Sequence, residues 1–581
     1  MMVAACLLAQ SFDSAVVSQG GRKIDPAYYA VPIDGRILLA GNFAEARPNH
    51  FHSGIDIKTG GVEGKPLYAV ADGYISRVNI APFGFGRAIY IAHPNGTTSV
   101  YAHMQKFSAP VEKVVAERQY STQRHSGDMY VEANSSSPRF PVKQGQQIGL
   151  SGNSGSSAGP HLHFELRESG SQRPLNVAAL RIYDIEDDMA PTLVRLHYVE
   201  LDTVKGVPVQ APPRAIDLVS TSPGNYRLAD TAALALGRCG YFVLEATDRK
   251  NDTQNTMGIY SVRMKMDGQP HFSFHLNSFL FGETRYVNSL THYGMQKGQR
   301  NEFLRLAVQA GNLLPVYSSV KERGAVMPRS GEEHEMELEV EDDNWNVSKL
   351  AFRVKLRGDG RVFSPDAPAG AMPAAIRKVF SHSADGLSIS IPADALYEPV
   401  FYSQAVDSLA KTGRKLYSPV YTVHDETIPL HTAATISINA PEAPASLRGK
   451  LCFVYISADG KCSHASAQWA GGKVTGKVRA FGRYAVTADN VAPTITPSFE
   501  EGADLAARQS ITFTLRDDFS GVESFTATID GKWIAFDRKG AVITHEFDGS
   551  RFTYDGRQHN LVISVSDAKG NSATLKRSFV R

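Results

Sequence analysis

The 581-residue chain has only four cysteines, and none lies at zinc-finger spacing, so neither a disulfide scaffold nor a thiolate zinc module holds it together. It has no apolar run near the ~20 residues needed to cross a bilayer, which excludes a membrane span by helix. It also lacks an excess of either charge. With 61 Lys and Arg against 59 Asp and Glu, there is no global field to gather nucleic acid or anionic lipid, and no nucleic-acid partner is expected. A glycine-rich nucleotide loop is missing too, since Gly84-Phe85-Gly86 lacks the strand, turn and helix context such a loop requires. Binding and chemistry must therefore come from local sites.

What is present is a globular, turn-rich composition of 42% hydrophobic residues with 49 Gly and 30 Pro. At roughly 100–200 residues per domain the length calls for about three to five domains. The apolar start, Met1 to Gln10, gives way to polar Ser11-Phe12-Asp13-Ser14 and reads as the tail of a secretory signal, so residues 1–20 are expected to be a leader remnant and linker. Val3-Ala4-Ala5-Cys6 resembles a lipoprotein box, but the apolar Leu7-Leu8 that follows argues against Cys6 as a mature terminus. Cys452 and Cys462 flank a hairpin turn, which is open both to a bridge in an oxidising compartment and to two unpaired small apolar residues.

A near-repeat divides the chain. Asp187-Asp188-Met189-Ala190-Pro191-Thr192 recurs as Asp489-Asn490-Val491-Ala492-Pro493-Thr494. Each copy is followed by a Gly and then an Asp-Gly pair at one spacing, Gly258 to Asp267-Gly268 and Gly521 to Asp530-Gly531. Each closes on an Asp-x-x-x-Asn step, Asp342 to Asn346 and Asp567 to Asn571, after alternating apolar residues. The pattern predicts paired antiparallel strands of a β-sandwich, with an insertion around 270–330 stretching the first copy. The expected class is mainly β: a first domain over 21–185, an immunoglobulin-like sandwich over 190–358, a β-rich module over 360–488 and a second immunoglobulin-like sandwich over 490–581. Residues from ~190 onward are expected to contribute location rather than catalysis.

The chemistry is concentrated in the first domain. His50-Phe51-His52-Ser53-Gly54-Ile55-Asp56-Ile57 and Gly159-Pro160-His161-Leu162-His163-Phe164-Glu165-Leu166 each carry ionisable side chains at even spacing, so on strands His52 would share a face with Asp56, and His161 with His163. Leu162, Phe164 and Leu166 would form the opposite, core-packed face. Hydrolytic zinc sites use three His or carboxylate ligands and leave a fourth position for water. His52, Asp56 and His163 meet that count. His161 would lie close by without binding, where a general base belongs. Val100-Tyr101-Ala102-His103-Met104 offers one more imidazole, while His93 reads as a turn residue and His50 sits six from Asp56 rather than four. Arg47 is open to holding a substrate carboxylate or to being a surface arginine.

The segments His52-Ser53-Gly54-Ile55-Asp56, Tyr101-Ala102-His103-Met104 and Gly159-Pro160-His161-Leu162-His163 resemble, in order, the three signatures of lysostaphin-type (LytM-like) zinc endopeptidases, over about residues 35–170. The resemblance implies Zn2+ held by His52, Asp56 and His163, catalysis by His161 and His103, and peptidoglycan stem or cross-link peptides as substrate in the periplasm or cell envelope. A direct cross-link between D-alanine and a diamino acid is favoured over a glycine-rich bridge. The rival reading is a non-hydrolytic envelope protein that binds wall peptides or activates another hydrolase, and an envelope partner for the C-terminal β modules stays open. The departure from the pattern is the long 104–141 segment, open to a surface excursion or to a lid beside the cleft.

Overall fold

The structure, a computed structural model, describes residues 24–131, 140–358, 363–370, 372–407, 412–547, 549, 552 and 554–581. The leader reading of residues 1–20, Cys6 and residues 132–139 of the long segment lie outside these residues. The chain is mainly β throughout. Among the described residues no helix is long and apolar enough to cross a membrane.

The N-terminal region is built on one large sheet. Its strands are β1 (Leu39–Gly41), β2 (Ile55–Lys58), β3 (Gly73–Ile80), β4 (Arg87–Ala92), β5 (Thr97–Ala102), β6 (Gly127–Tyr130) and β7 (His161–Glu168), in the spatial order β1-β2-β7-β5-β4-β3-β6. β-Branched residues alternate along β2 and β4, and Ile55, Ile57, Ile89 and Ile91 enter one core with Tyr101, Leu162, Phe164 and Leu166. The apolar face expected for β7 is the one that packs.

The long segment contains a helix, α1 (Ala109–Thr122), with a proline in its first turn and Val111 and Val115, one turn apart, buried against this core. It ends at Gln123, whose left-handed backbone (φ 51°) directs the chain outward.

The repeated motifs form the same structure twice. In the first copy Asp342 accepts the backbone N–H of Asn344 and Asn346 and, at 2.9 Å, the Asn346 amide. Asp567 does the same for Lys569 and Asn571. Asp267 bonds His334 Nδ1 at 2.8 Å and the Glu335 N–H at 2.9 Å, and Asp530 bonds His559 Nδ1 at 2.7 Å and the Asn560 N–H at 2.8 Å. Asp342 and Asp567 tie off the turns that join Glu333–Glu341 to Val347–Leu356 and Gln558–Asp567 to Ser572–Val580, while Asp267 and Asp530 fasten the ends of Ser261–Met266 and Val522–Ile529 to the antiparallel neighbours Glu333–Glu341 and Gln558–Asp567. Between the copies lie two five-stranded sheets around a separate core.

In that middle region the bridge between Cys452 and Cys462 does not form. Cys462 pairs across the hairpin with Ile456, four residues along the strand from Cys452, and both thiols are free. At about 3.3 Å per residue that offset exceeds the ~7 Å Cα limit of a disulfide.

The insertion in the first repeat turns inward onto the N-terminal region. It holds short helical turns at Phe281–Tyr286, Val287–Leu290 and Tyr293–Gln296. Phe279, just before them, packs on Phe43 and Phe51 at 5.4 and 5.2 Å, which places these two phenylalanines in the core of the second module rather than the first.

Candidate active site

The register of the sheet brings the chemistry together. Asp56 on β2 lies directly opposite His163 on β7, and Ala102 flanks His163 from β5. His103 follows the end of β5 in a left-handed conformation (φ 59°), a sparsely populated state for a non-glycine residue, with its N–H on the Phe85 carbonyl. His52 differs from expectation. It lies on a loop after the short strand His50–Phe51, not on one strand with Asp56, and is held by backbone bonds to Ala44 and Glu45.

The three expected ligands converge. His52 Nε2 lies 3.1 Å from Asp56 Oδ1 and 3.0 Å from His163 Nδ1, and His163 Nδ1 lies 2.9 Å from the same Asp56 oxygen. All three residues are buried, and the three atoms face one point. The arrangement behind them fits a metal: His52 Nδ1 is fixed by the Asn42 carbonyl at 2.7 Å, and His163 Nε2 by Glu165 at 2.9 Å. Glu165 is itself held by Arg167 at 2.5 Å and by the Ser53 hydroxyl at 2.6 Å. A carboxylate behind a ligating imidazole fixes its tautomer and raises its basicity.

Burial and close contacts set the charges at this point. Burial lowers His52 to about 4, so it is neutral. Burial opposes charge on His163 as well, but the bonds to Asp56 and Glu165 outweigh it and raise that imidazole to about 9. Asp56 is held well below the usual carboxylate range because its close contacts with His52, His161 and His163 outweigh burial.

Two imidazoles flank the cluster. His161 Nε2 approaches Asp56 Oδ1 at 3.4 Å, while its Nδ1 is anchored on the Gly159 carbonyl at 2.8 Å. His103 Nδ1 is anchored on the Ser154 carbonyl at 2.9 Å, and its ring centre is 4.7 Å from that of His161. Burial, then the charges of His163 and His161, push His103 down to about 3. His93 and His50 take no part: His93 bonds the Asp72 carbonyl and Ser99, and exposed His50 bonds the Pro48 carbonyl.

Arg47 takes neither role left open for it. Its guanidinium donates to Asp56 Oδ2 at 2.7 Å and so orients the carboxylate from behind. Glu165, Arg167 and Asn42 were not singled out from sequence. Glu165 had a signal, since it lies two residues after His163 on the same face of β7.

Beside the site the N-terminal region meets the C-terminal module. A cavity of about 1160 Å3 runs between Phe83, Met104, Ser154 and Ser157 on one side and Phe525 and Arg538 on the other. The turn after α1 makes the contact: the His125 ring stacks on Phe525 and Trp533 at 4.1 and 4.8 Å, and its Nδ1 accepts the Phe536 N–H at 3.0 Å. Arg87 reaches Asp537 at 3.3 Å, and Lys106 reaches Glu546 at 2.9 Å. The described part of the long segment is thus a docking element.

Two family profiles match the chain, peptidase family M23 over residues 50–123 and 124–176, and a Zu5-like domain over residues 373–489. Among similar curated proteins, DD-carboxypeptidase/endopeptidase Mpg of Neisseria meningitidis is 34% identical over 128 residues, covering 22% of this chain and 23% of its own. Peptidoglycan DD-endopeptidase ShyA of Vibrio cholerae is 27% identical over 176 residues, covering 29% of this chain and 34% of its own. The chain thus spans between about a fifth and a third of the length of these relatives. Among solved structures, a zinc-containing peptidase from Vibrio cholerae is 24% identical with a TM-score of 0.20, covering 28% of this chain and 44% of that one. The M23 match contains all five residues of the imidazole and carboxylate cluster, and the N-terminal region of this chain is a LytM-like domain of peptidase family M23.

Proposed function

We propose that the chain is a zinc-dependent endopeptidase that hydrolyses peptide cross-links of bacterial peptidoglycan, exported to the periplasm or cell envelope. The observation that carries this reading is the meeting of His52 Nε2, Asp56 Oδ1 and His163 Nδ1 within 3.1 Å of one another, with His161 and His103 beside them. Zinc held by these three residues would supply a Lewis acid for the scissile carbonyl and a water acidified toward neutrality. His161, with its Nδ1 hydrogen on the Gly159 carbonyl, turns a bare Nε2 toward the cluster and acts as general base. His103 is neutral at rest, so the proton it hands to the leaving amine is the one taken from the attacking water, passed on from His161, whose ring centre lies 4.7 Å away. Arg47 and Glu165 hold Asp56 and His163 in place.

The substrate class is supported by the endopeptidase names of the relatives and by the donor set. Glycosidases work through two free carboxylates, whereas this cleft offers imidazoles and one carboxylate already engaged by His52, His163 and Arg47. The direct cross-link between D-alanine and a diamino acid is the proposed bond. The test is digestion of both muropeptide types by zinc-loaded protein, followed by mass spectrometry. Cross-linked dimers should fall to monomers with new amine and carboxyl ends. Release of reducing sugar without loss of dimers would refute the reading. Full zinc with no cleavage of any muropeptide would favour the non-hydrolytic envelope protein instead.

A further inference from the structure

The densest buried charge outside the peptidase site lies where the chain enters the first β repeat. Asp187, Asp248 and Asp342 bring carboxylate oxygens within 4.8 Å of one another. Asp343 stands beside them, joined through Lys250, whose Nζ is 2.5 Å from Asp343 Oδ1, 3.2 Å from Asp187 Oδ2 and 2.7 Å from the Asn344 amide oxygen. The oxygens of Asp342 are engaged in the turn they tie off.

Asp248 is different. It is 1% exposed, and neither of its oxygens accepts a hydrogen bond. Lys250 is engaged with Asp187, Asp343 and Asn344. One ammonium cannot balance four carboxylates, and burial also raises Asp342 to about 7, so without further positive charge the pocket is held only by keeping carboxyls protonated. Burial and the Asp342 charge push the Asp248 carboxyl well above its usual range, so it stays ionised only beside further positive charge.

The junction is built the same way a second time. Asp489 opens the second linker as Asp187 opens the first, and Asn571 donates to the Asp489 carbonyl at 3.0 Å as Asn346 donates to that of Asp187 at 3.2 Å. Asp517 follows its strand as Asp248 follows its own, and one of its oxygens is also buried without a partner. That second cluster is more fully satisfied, since Asp489 and Asp517 accept backbone N–H groups and Asp518 pairs with Arg414.

We propose that Asp187, Asp248 and Asp342 form a binding site for a hard divalent cation of the calcium class, separate from the peptidase metal. The donors are all oxygens, the chemistry that calcium takes in preference to zinc. Such an ion would join the linker to the module at a place already braced against the N-terminal region, where Asn344 donates to the Ile185 carbonyl at 2.6 Å and Arg181 covers the Trp345 ring at 3.9 Å. It would act as a structural rivet.

The test uses the full chain, freed of metals, reloaded with one equivalent of zinc and titrated with calcium by calorimetry, with thermal unfolding followed in parallel. Calcium should bind and raise the melting temperature. Asp248→Asn should weaken that binding at least tenfold, whereas Asp56→Ala, which addresses the other metal, and Asp517→Asn should leave it intact. Absence of any calcium binding or thermal shift in the wild-type chain overturns the proposal without relying on a variant. So does calcium binding that Asp248→Asn leaves unchanged.

Discussion

Each residue of the cluster contributes in a different way, and single substitutions should separate them. Asp56→Ala removes one of the three proposed ligands and should sharply reduce zinc content by metal analysis. His161→Ala should keep its zinc and lose about 10²–10⁴-fold in turnover, the range expected for a general base. Glu165→Gln tests the support behind the ligands. It removes the charge on which His163 and Arg167 both rely, so zinc affinity should drop about 10–100-fold. Because Arg167 is then left buried with a neutral partner, thermal or urea unfolding should show a loss approaching the 3–5 kcal/mol typical of a broken buried pair. Unchanged zinc affinity in that variant would show that Glu165 serves only the fold.

The sequence could reveal these residues to different extents. His161 and His163, two apart with Leu162 between them and Phe164 after, stated both the strand and its faces. His52 did not, because four residues separate it from Asp56 both in an extended strand and in the loop-and-strand path the chain follows, and spacing alone does not distinguish the two. Arg47 stayed open between a substrate contact and a surface arginine because its partner, Asp56, sits nine residues on in a different strand.

At the scale of elements, the site depends on how closely β2 and β7 can approach. Gly54 lies just before β2, and a methyl group there would sit 2.3 Å from the Phe164 carbonyl and 2.7 Å from the Glu165 side chain. Gly54→Ala must push β7 away from Asp56. Overpacking of this kind costs about 1–3 kcal/mol, and here the displacement falls on His163, so zinc affinity should fall together with stability. Zinc binding and melting at wild-type values would show that the strands can part without moving the ligands. The repeated Asp-Gly and Asp-x-x-x-Asn turns were legible in sequence because their hydrogen bonds are local. The insertion was legible only as extra length. Its packing of Phe279 on Phe51, next to His52, depends on contacts more than two hundred residues apart.

At the scale of the whole molecule, that packing changes what the downstream modules do. Residues from ~190 onward were expected to contribute location rather than catalysis, but a chain ending near 185 would uncover Phe43 and Phe51, and exposing two phenylalanine side chains costs about 3–6 kcal/mol. Such a fragment should bind zinc poorly, whereas one ending at 358 should bind it normally. Equal zinc content in the two would mean the first module carries no part of the site. The contact with the last module should respond to pH. Burial lowers His125 to about 4 against an ordinary 6.5, so the separated form binds more protons between these values. Docking should be complete above about pH 6.5 and weaken as pH falls toward 4, readable as an increase in radius of gyration by solution scattering. His125→Phe should flatten that dependence while keeping the stack on Phe525 and Trp533.

The stack of His125 on Phe525 joins residues four hundred positions apart, so the first and last described regions of the chain touch and the molecule closes into a ring. A contact of a few side chains with one exposed ion pair and one at the buried Arg87 is weak between separate molecules. Within one chain it operates at the effective concentration set by the intervening modules, which for short tethers reaches the millimolar range. An affinity too weak to detect in a mixture of fragments is therefore enough to keep the ring closed much of the time. By the same arithmetic, any ligand that opens the ring needs to outbid only that modest closure, so a small gain in contacts on the freed surfaces would shift most of the population.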